Sequence, residues 1–356
     1  MLSVSDSHTA VIDAQGSVWS WGDSSFGKLG APVTARWTAT PVRAVGLTDA
    51  VSISAPYRHA VAATADGRVW TWGANSSGVL GTAVDPGQSD STVPIEVPEL
   101  TDVTQVAAAA QNSYAVTASG LLQAWGSNAN HLLGNGGTAD SSVPVLVQGP
   151  TDVVAVSASH QHVLALTDSG DVWAWGNNSN GELGTVSSEA VRFPRRVEGI
   201  SPMKAVAAGN GFSLAVDTAG NVWGWGRRLG LILEGDDIDP DSMVPIQIPG
   251  LHDVVQVAAN ASALAVTNSG EVWTWGSSEF AHLGHGTLAA AKTPTRVNLP
   301  EPVVAGAMSR FHVAVLTTSG TLYTWGNNYY FQLGDESSTT HLSPTRVNGI
   351  TGVWRV

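Results

Sequence analysis

Cysteine is absent from the 356 residues of this chain, and lysine occurs only three times. Disulfides, thiol nucleophiles, iron–sulfur clusters and cysteine-ligated zinc are therefore excluded. Charged residues make up only 13% of the chain, and 16 basic against 29 acidic side chains give a formal net charge of −13. Because sequence-independent binding to nucleic acid is built from an excess of lysine and arginine, we expect no nucleic-acid partner.

Long apolar runs are also missing. No stretch approaches the roughly 18 apolar residues of a membrane helix, and residues 1–10 lack the basic and apolar regions of a secretory signal. We therefore expect no membrane partner. The compartment stays open: the protein is cytoplasmic unless a signal peptide has been removed, in which case it is secreted or lies at the cell surface.

The sequence motifs of common enzymes are absent too. There is no Gly-X-Ser-X-Gly elbow, no phosphate-binding glycine-rich loop and no His-Glu-X-X-His. The carboxylates are scattered, and no pair stands out as an acid and a base. We predict a protein that is not an enzyme, with no catalytic residue and no cofactor.

A repeat of about 50 residues dominates the sequence. A Trp-Gly pair marks each copy, and successive pairs lie 50 to 53 residues apart. The seven pairs are Trp21-Gly22, Trp72-Gly73, Trp125-Gly126, Trp175-Gly176, Trp225-Gly226, Trp275-Gly276 and Trp325-Gly326. Seven copies of one unit predict seven equivalent structural modules.

Each repeat contains the same short signals in the same order. A glycine before the tryptophan, such as Gly67, indicates a tight hairpin. After most tryptophans comes a Leu-Gly pair, then a proline that opens a short strand, and last an alanine-rich apolar run. Four short strands per unit without a helical period are typical of propeller blades. We therefore predict an all-β fold, a single seven-bladed β-propeller domain over residues 1–356 with about four antiparallel strands per blade.

The spacing of the residues assigns places within the blade. The Trp-X-Trp pattern, as in Trp173 and Trp175, puts both indoles on one strand face, which must pack on a neighbouring blade. The alanine-rich run suits the innermost strand, where the blades converge. Residues 352–356 match the start of that strand and residues 2–8 match its continuation. We expect these N- and C-terminal segments to pair and close the ring.

The repeat resembles a known family. The pattern His-X-X-Ala-Val, X-Gly-X-Val-X-X-Trp-Gly, Gly-X-Leu-Gly and Pro-X-X-Val, found with small changes at His59–Gly81 and Pro94–Val97, is similar to the regulator of chromosome condensation repeat. This resemblance implies a seven-bladed propeller but leaves the function open. Members of the family include a guanine nucleotide exchange factor that binds chromatin, a plant ultraviolet photoreceptor, bacterial effectors and an inhibitor of β-lactamases. The low charge and polar loops resemble the bacterial members.

Positions that depart from the repeat average point to function. The fifth residue after the tryptophan is aromatic in blades six, seven and one, which ring closure makes consecutive. Aromatic residues clustered on a rim suit contact with a protein or a carbohydrate, although the rings could instead pack beneath their own loops. With nearby basic and aromatic residues, the candidate partner-binding residues are Phe26, Lys28, Arg58, Phe280, His282, Arg310, Tyr329, Tyr330 and Phe331.

Two further departures carry weaker signals. In blade five the Asp236–Asp241 loop alternates aspartates, a pattern compatible with calcium, with a basic partner or with a merely solvated loop. The histidine position of the repeat, exemplified by His59, is expected to form hydrogen bonds that tie adjacent strands. His160 and His162 share a strand face by spacing, but two ligands without a third do not make a metal site. No metal site is predicted.

The sequence therefore favours a non-enzymatic, monomeric platform that binds an unidentified protein partner through one propeller face. The alternative is a glycan-binding propeller that uses the same aromatic residues. A further alternative is a regulator of a small GTPase that acts as a guanine nucleotide exchange factor. A photoreceptor is disfavoured, because nearly every tryptophan occupies a repeat position and so has a structural role.

Overall fold

A computed structural model describes residues 1–82, 90–200, 202–226, 242–348 and 353. Within these ranges, 28 β-strands form seven four-stranded antiparallel sheets. The sheets are the blades of a ring around a central channel, which confirms the predicted all-β seven-bladed propeller. The helical segments in the same ranges are single 3₁₀ turns at Ser25–Gly27, Ser76–Gly78 and Ala129–His131, and none of them could span a bilayer.

The strands follow the repeat. Blades one to three contain β1 (Leu2–Val4), β2 (His8–Ile12), β3 (Val18–Asp23), β4 (Trp37–Arg43), β5 (Ala50–Ser54), β6 (His59–Thr64), β7 (Val69–Gly73), β8 (Ser91–Glu96), β9 (Val103–Ala108), β10 (Asn112–Thr117), β11 (Leu122–Gly126) and β12 (Ser141–Leu146). Blades four and five contain β13 (Val153–Ala158), β14 (His162–Thr167), β15 (Val172–Gly176), β16 (Val191–Arg196), β17 (Met203–Ala208), β18 (Ser213–Asp217), β19 (Val222–Trp225) and β20 (Ile246–Ile248). Blades six and seven contain β21 (Val254–Ala259), β22 (Ser262–Thr267), β23 (Val272–Gly276), β24 (Ala291–Arg296), β25 (Val303–Met308), β26 (His312–Thr317), β27 (Leu322–Gly326) and β28 (His341–Arg346).

Strand order within a blade decides which loops share a face of the ring. In every blade the four strands lie side by side in chain order. Because successive strands are antiparallel, the turn from the first strand to the second and the loop from the third to the fourth lie at the same end of the blade. We call this end of the ring the upper face. The hairpins between the second and third strands lie on the opposite, lower face.

The innermost strands surround a central cavity with a volume of about 310 Å³. Many of the lining residues are alanines of these strands, as the taper of the ring requires. Side chains, rather than a shared hydrogen-bond ladder, join neighbouring inner strands. Ser54 Oγ accepts the Ala108 N–H at 3.0 Å, and the Gln256 amide both donates to and accepts from the Gly306 backbone at 3.0 Å.

The tryptophan of each Trp-Gly pair fills the seam between its blade and the preceding one. All seven of these indoles are fully buried. Trp173 and Trp175 pack in one cluster with Leu133 of blade three, which confirms that the two indoles share a face. Among the described residues, six of the seven indoles donate Nε1–H to a backbone carbonyl of the preceding blade, as from Trp125 to Val79 at 2.8 Å. The same bond, at 2.9 to 3.0 Å, joins Trp21 to Gln332, Trp72 to Lys28, Trp175 to Leu132, Trp225 to Glu182 and Trp325 to His282.

The glycine of each Leu-Gly pair lies against the indole of the next blade. Gly334 has a φ of +69°, and a Cβ placed on it would lie 2.6 Å from Nε1 of Trp21. The glycine is thus required both by its left-handed backbone and by the close approach of the ring. The equivalent residues, with the next indole at 2.7 to 3.2 Å, are Gly30, Gly81, Gly134, Gly184 and Gly284. This contact explains why Leu-Gly accompanies Trp-Gly along the sequence.

The two ends of the chain close the ring at blade one. β1 pairs with β2, and Val353 extends the same inner strand through a bridge to Asp13. The seam between blades seven and one also carries the usual indole bond, from Trp21 to the carbonyl of Gln332. The predicted pairing of the N- and C-terminal segments is therefore confirmed.

Candidate functional site

All nine candidate residues belong to upper-face segments of four consecutive blades. Arg58 and Arg310 lie in turns between first and second strands. The other seven lie in loops between third and fourth strands; they are Phe26, Lys28, Phe280, His282, Tyr329, Tyr330 and Phe331. The topology therefore assigns the aromatic and basic candidates of blades six, seven, one and two to the same face.

Arg58 crosses the seam between blades one and two. Its guanidinium lies over the Phe26 ring, 5.0 Å from the ring centroid, and 5.1 Å from that of Tyr57. Phe26 is 43% exposed. Tyr57 in turn meets His160 edge to face, with the centroids 5.7 Å apart, at the mouth of the channel. Two of the predicted residues thus form a single cation–π unit, which Tyr57 and His160 extend toward the channel.

A second unit of the same kind crosses the seam between blades six and seven. The Arg310 guanidinium lies 6.0 Å from the Phe280 centroid and 5.3 Å from that of Phe311. The two rings meet edge to face, with centroids 4.4 Å apart. In both units, an aromatic residue of a third-to-fourth loop contacts an arginine from the next blade's turn. The repetition explains why the two arginines accompany the two phenylalanines.

At the seam between these two units, the predicted Tyr329, Tyr330 and Phe331 are joined by Trp37 and Arg36, which the sequence did not group with them. Phe331 of blade seven stacks on Trp37 of blade one, with centroids 6.2 Å apart and planes inclined by 24°. The Arg36 guanidinium lies over the Trp37 ring, 5.7 Å from its centroid. Beside them, Tyr329 and Tyr330 meet edge to face at 4.9 Å. Trp37 was identifiable in the sequence as a tryptophan outside the repeat position, but nothing there indicated its partner.

Lys28 and His282 do not lie at the surface, because the seventh residue after the tryptophan points inward. Lys28 is 3% exposed and His282 is 1% exposed. Lys28 Nζ donates to Asp23 Oδ2 at 2.5 Å and to Ser7 Oγ at 2.9 Å. Neither side chain is available for direct contact with a partner, so we do not carry them forward as contact residues.

The buried pair of Lys28 and Asp23 leaves no net charge beneath the surface. Burial lowers the pKa of Lys28, and the Asp23 carboxylate opposes that effect. Burial also disfavours the charged form of Asp23, but hydrogen bonds from Lys28 and Ser25 outweigh it and hold the pKa of Asp23 below its ordinary value. The two side chains form a buried ion pair, in which each offsets the charge of the other.

Three of the repeat histidines form hydrogen bonds to the next blade through Nε2. His162 Nε2 lies 2.8 Å from Ser213 Oγ, and that hydroxyl donates to the carbonyl of Glu182 at 2.8 Å. Because the Ser213 hydroxyl donates its proton to that carbonyl, its oxygen accepts a hydrogen bond from Nε2–H of His162. Burial lowers the pKa of His162 to about 3. Equivalent bonds join His59 to Ser113 and His312 to Thr9.

His160 contributes to no metal site among the described residues. His160 lies in the turn before β14 and is exposed, so it does not share a strand with the buried His162. In the ranges that the structure covers, no three His, Asp or Glu side chains gather as a metal site requires. The Asp236–Asp241 loop lies outside the described residues.

Phe26 and Phe331 have unusual backbone conformations. Their φ angles are +64° and +62°. At the position of Phe26, blades two and three place Ser77 and Asn130, also at positive φ. At the position of Phe331, other blades place Gly27, Gly78, Gly181, His131 and Ala281, all at positive φ. A bulky residue at positive φ is uncommon and strained.

Charge at the centre of this face is unevenly distributed. Asp6, in the turn of blade one, lies between the two arginine units. Burial raises the pKa of its carboxyl; the His160 and Arg310 charges and a hydrogen bond from the Arg310 backbone N–H act in the opposite direction. Arg36, Arg58 and Arg310 have no carboxylate within 4.0 Å among the residues described.

We use the name aromatic–arginine surface for Phe26, Arg36, Trp37, Arg58, Phe280, Arg310, Tyr329, Tyr330 and Phe331. A closed ring of seven four-stranded blades that presents such a surface on one face defines the class of the protein, a seven-bladed repeat propeller. The chain belongs to the RCC1-like domain family, whose sequence pattern matches residues 1–259. Regulator of chromosome condensation (RCC1) repeats match residues 269–316 and 319–356. The resemblance seen in the repeat is thereby confirmed.

Three similar proteins illustrate the range of the family. Probable E3 ubiquitin-protein ligase HERC6 of Homo sapiens is 30% identical over 131 residues, which are 36% of this chain and 13% of that protein. The secretion-regulating guanine nucleotide exchange factor of Bos taurus is 35% identical over 131 residues, 34% of this chain and 27% of that protein. The structure of Prp20p from Saccharomyces cerevisiae has a TM-score of 0.83 at 22% identity, covering 96% of this chain and 88% of that one.

These similarities have clear limits. The match to Prp20p shows the fold alone, and the matches span 13% and 27% of the two curated relatives. The activities of the whole relatives are therefore not assigned to this chain. All three are eukaryotic proteins, so the expected kinship with bacterial members gains no support.

Proposed function

We propose that the protein is a rigid, non-enzymatic platform that binds a partner protein through the aromatic–arginine surface. The observation that carries this proposal is the backbone conformation of Phe26 and Phe331. Phe26 lies where blades two and three place serine and asparagine, and Phe331 lies where other blades place glycine, alanine or histidine, all at positive φ. Such strain costs about 1–3 kcal/mol per residue and clusters at functional sites. Here it presents two aromatic rings on one face.

The surface is also organised in advance of any contact. Tyr329 is 70% exposed and Trp37 is 40% exposed, so both offer ring area that a partner could cover. The stacking of Trp37 on Phe331, and of Phe26 beneath Arg58, restricts the rotamers of these side chains. Contacts that are ordered before binding lose less entropy on association. Aromatic and arginine side chains are the residue types that most often dominate interface energetics.

The relatives support a role in protein contact. Prp20p, which shares the fold, is described by its binding properties to Gsp1p and histones. The bovine relative is named as a guanine nucleotide exchange factor, and its match covers 34% of this chain. Exchange activity is therefore the second candidate, and it also requires a surface that binds a protein. A glycan-binding propeller would use the same exposed rings and is separated from both by experiment.

The test removes the aromatic residues without straining the fold. In one variant, Phe26→Asn and Phe331→Gly are combined, because other blades already use these residue types there. The control is Phe193→Ala, which removes a half-exposed aromatic residue of β16 in blade four. Immobilised wild type, variant and control are compared by affinity capture with quantitative mass spectrometry. We expect a partner that wild type and control retain and the double variant loses.

Two outcomes would contradict the proposal. A partner retained equally by all three proteins would show that binding occurs elsewhere on the ring. Glycan binding that is lost in the double variant, without any captured protein, would favour the glycan alternative. Nucleotide release from a captured small GTPase, measured with a fluorescent nucleotide, decides whether the contact has exchange activity.

A further inference from the structure

The arginines of the two faces have different environments. On the lower face, Arg196 donates to Asp171 at 2.6 Å and Arg296 to Glu271 at 3.1 Å. On the upper face, the guanidiniums of Arg36, Arg58 and Arg310 lie over aromatic rings, 5.0 to 6.0 Å from the ring centroids. Within the described part of the chain, no carboxylate lies within 4.0 Å of these three guanidiniums. No direct ion pair neutralises these charges, and the Asp6 carboxylate in the turn of blade one interacts with the Arg310 charge from a longer distance.

A stacked guanidinium keeps its hydrogen-bonding edge. Stacking occupies the flat face of the group, whereas the N–H donors lie in its plane and stay available. Those donors match the two oxygens of a carboxylate and bind it in a bidentate manner. Because the ring beneath already fixes the arginine, Arg58 and Arg310 lose little further freedom when a carboxylate binds.

We propose that the occupant of this surface is an acidic segment of the partner protein, whose Asp or Glu side chains bind Arg58 and Arg310 while its apolar side chains cover the rings between them. This inference rests on the proposed function and adds the chemistry of the partner. Blade one lies between the two arginines, and its loop contributes Phe26. The pair of Lys28 and Asp23 beneath it has no net charge to add.

The charge on the rest of the chain favours the docking of an acidic segment at the aromatic–arginine surface. The formal net charge is −13, so an acidic segment is repelled by most of the surface. Glu279 and Glu336 lie in neighbouring loops, but neither is within 4.0 Å of the three arginines. An acidic partner is therefore attracted to the aromatic–arginine surface and repelled by the rest of the chain. Electrostatics thus determines where it docks. The same net charge disfavours nucleic acid, whose binding needs many more cations.

The decisive experiment reverses the two arginines. Arg58→Glu and Arg310→Glu are combined, and the control combines Arg195→Glu and Arg346→Glu, which are exposed residues of β16 and β28. Both variants change the net charge equally. The probe is a fluorescein-labelled peptide of glutamate, leucine and glycine, read by fluorescence anisotropy with the full chain. A second peptide replaces every glutamate by glutamine.

We expect the glutamate peptide to bind wild type and control alike, and to bind the Arg58/Arg310 variant at least about tenfold more weakly, with attraction decreasing as salt rises. The glutamine peptide should not bind. Arg58→Gln with Arg310→Gln, which adds no repulsion, should also weaken binding. Equal melting temperatures of all variants show that the fold is unchanged.

Several results would overturn the inference. These are no binding of the glutamate peptide to wild type, equal binding to both reversed variants, or arginine-dependent binding of a single-stranded oligonucleotide in place of the peptide. The inference can fail independently of the proposed function. If the captured partner is lost from the Phe26/Phe331 variant but kept by the Arg58/Arg310 variant, the platform stands and the acidic partner is wrong.

Discussion

Single glycines of the repeat differ in what surrounds them. Gly334 and Gly46 both have positive φ, +69° and +72°. A Cβ on Gly334 would lie 2.6 Å from Nε1 of Trp21, whereas nothing lies within 4 Å of a Cβ on Gly46. The two positions therefore separate the cost of the backbone conformation from the cost of crowding a buried indole.

We expect Gly334→Ala to lower the free energy of unfolding by about 3 kcal/mol, of which about 1 kcal/mol is the backbone term and the rest overpacking. Gly46→Ala should lose only the backbone term of about 1 kcal/mol. Urea unfolding followed by tryptophan fluorescence measures both values. Equal losses would show that the indole contact does not restrict this position.

The sequence could identify individual residues of the site but not their orientation. Phe26, Phe280 and Tyr330 were recognisable because they depart from a repeat position. Lys28 and His282 were indistinguishable from them by pattern, since burial at the seventh position after the tryptophan depends on a partner in space. The stacking of Arg58 and Arg310 joins residues of different blades, which no local periodicity shows.

At the scale of elements, buried neutral histidines lie in three second strands, as His59, His162 and His312, and in the third-to-fourth loop of blade six, as His282. Burial lowers the pKa of His59 and His282 to about 4, and that of His162 and His312 to about 3. The ordinary value of 6.5 applies when the chain is unfolded. Below that pH the unfolded chain binds protons that the folded chain does not, so acid favours unfolding.

We expect the stability that these histidines confer to be fully present above about pH 6.5 and to fall as the pH drops toward 4, by about 1.4 kcal/mol per pH unit for each histidine. His162→Asn, which copies Asn112 of blade three, should reduce the pH dependence of the free energy of unfolding by the contribution of one histidine proton. The exposed His252→Asn is the control and should not change the slope. Urea unfolding over this pH range measures the effect, and an unchanged slope in His162→Asn would contradict it.

The elements themselves could largely be predicted from the sequence. Period-two alternation and repeated turn residues predict the strands. The Trp-X-Trp pattern predicts the strand face that packs on the neighbouring blade. The bonds that connect the blades could not be predicted in the same way. For example, Ser213 and Glu182 are 31 residues apart and belong to different blades, so their contact depends on how the blades stack.

At the scale of the whole molecule, we propose that residues 1–356 form one cooperative domain. The inner strand of blade one is shared between the ends of the chain, because Val353 bridges to Asp13 beside β1. Val353 is as buried as its counterpart Val303 in blade seven, at 2% and 3% exposure. The position that closes the ring is therefore packed like any other blade.

We expect Val353→Ala and Val303→Ala to lower the free energy of unfolding by similar amounts, about 2 kcal/mol each, because each removes buried methyl groups from a blade interface. Both variants should unfold in a single transition. Differential scanning calorimetry measures the loss and the number of transitions. A near-neutral Val353→Ala, or a separate early transition, would show that blade one is not tied to the C-terminal segment.

The indole bond between Trp21 and Gln332 joins blades seven and one in the same way as the indole bonds at five other seams. A linear array of repeats has two terminal units, each with a single neighbour, and it frays from those ends unless special repeats cap them. In this ring every blade has two neighbours. The local unfolding of any one blade must therefore break two interfaces at the same time. This suppresses local unfolding at every blade, and no capping repeat is required.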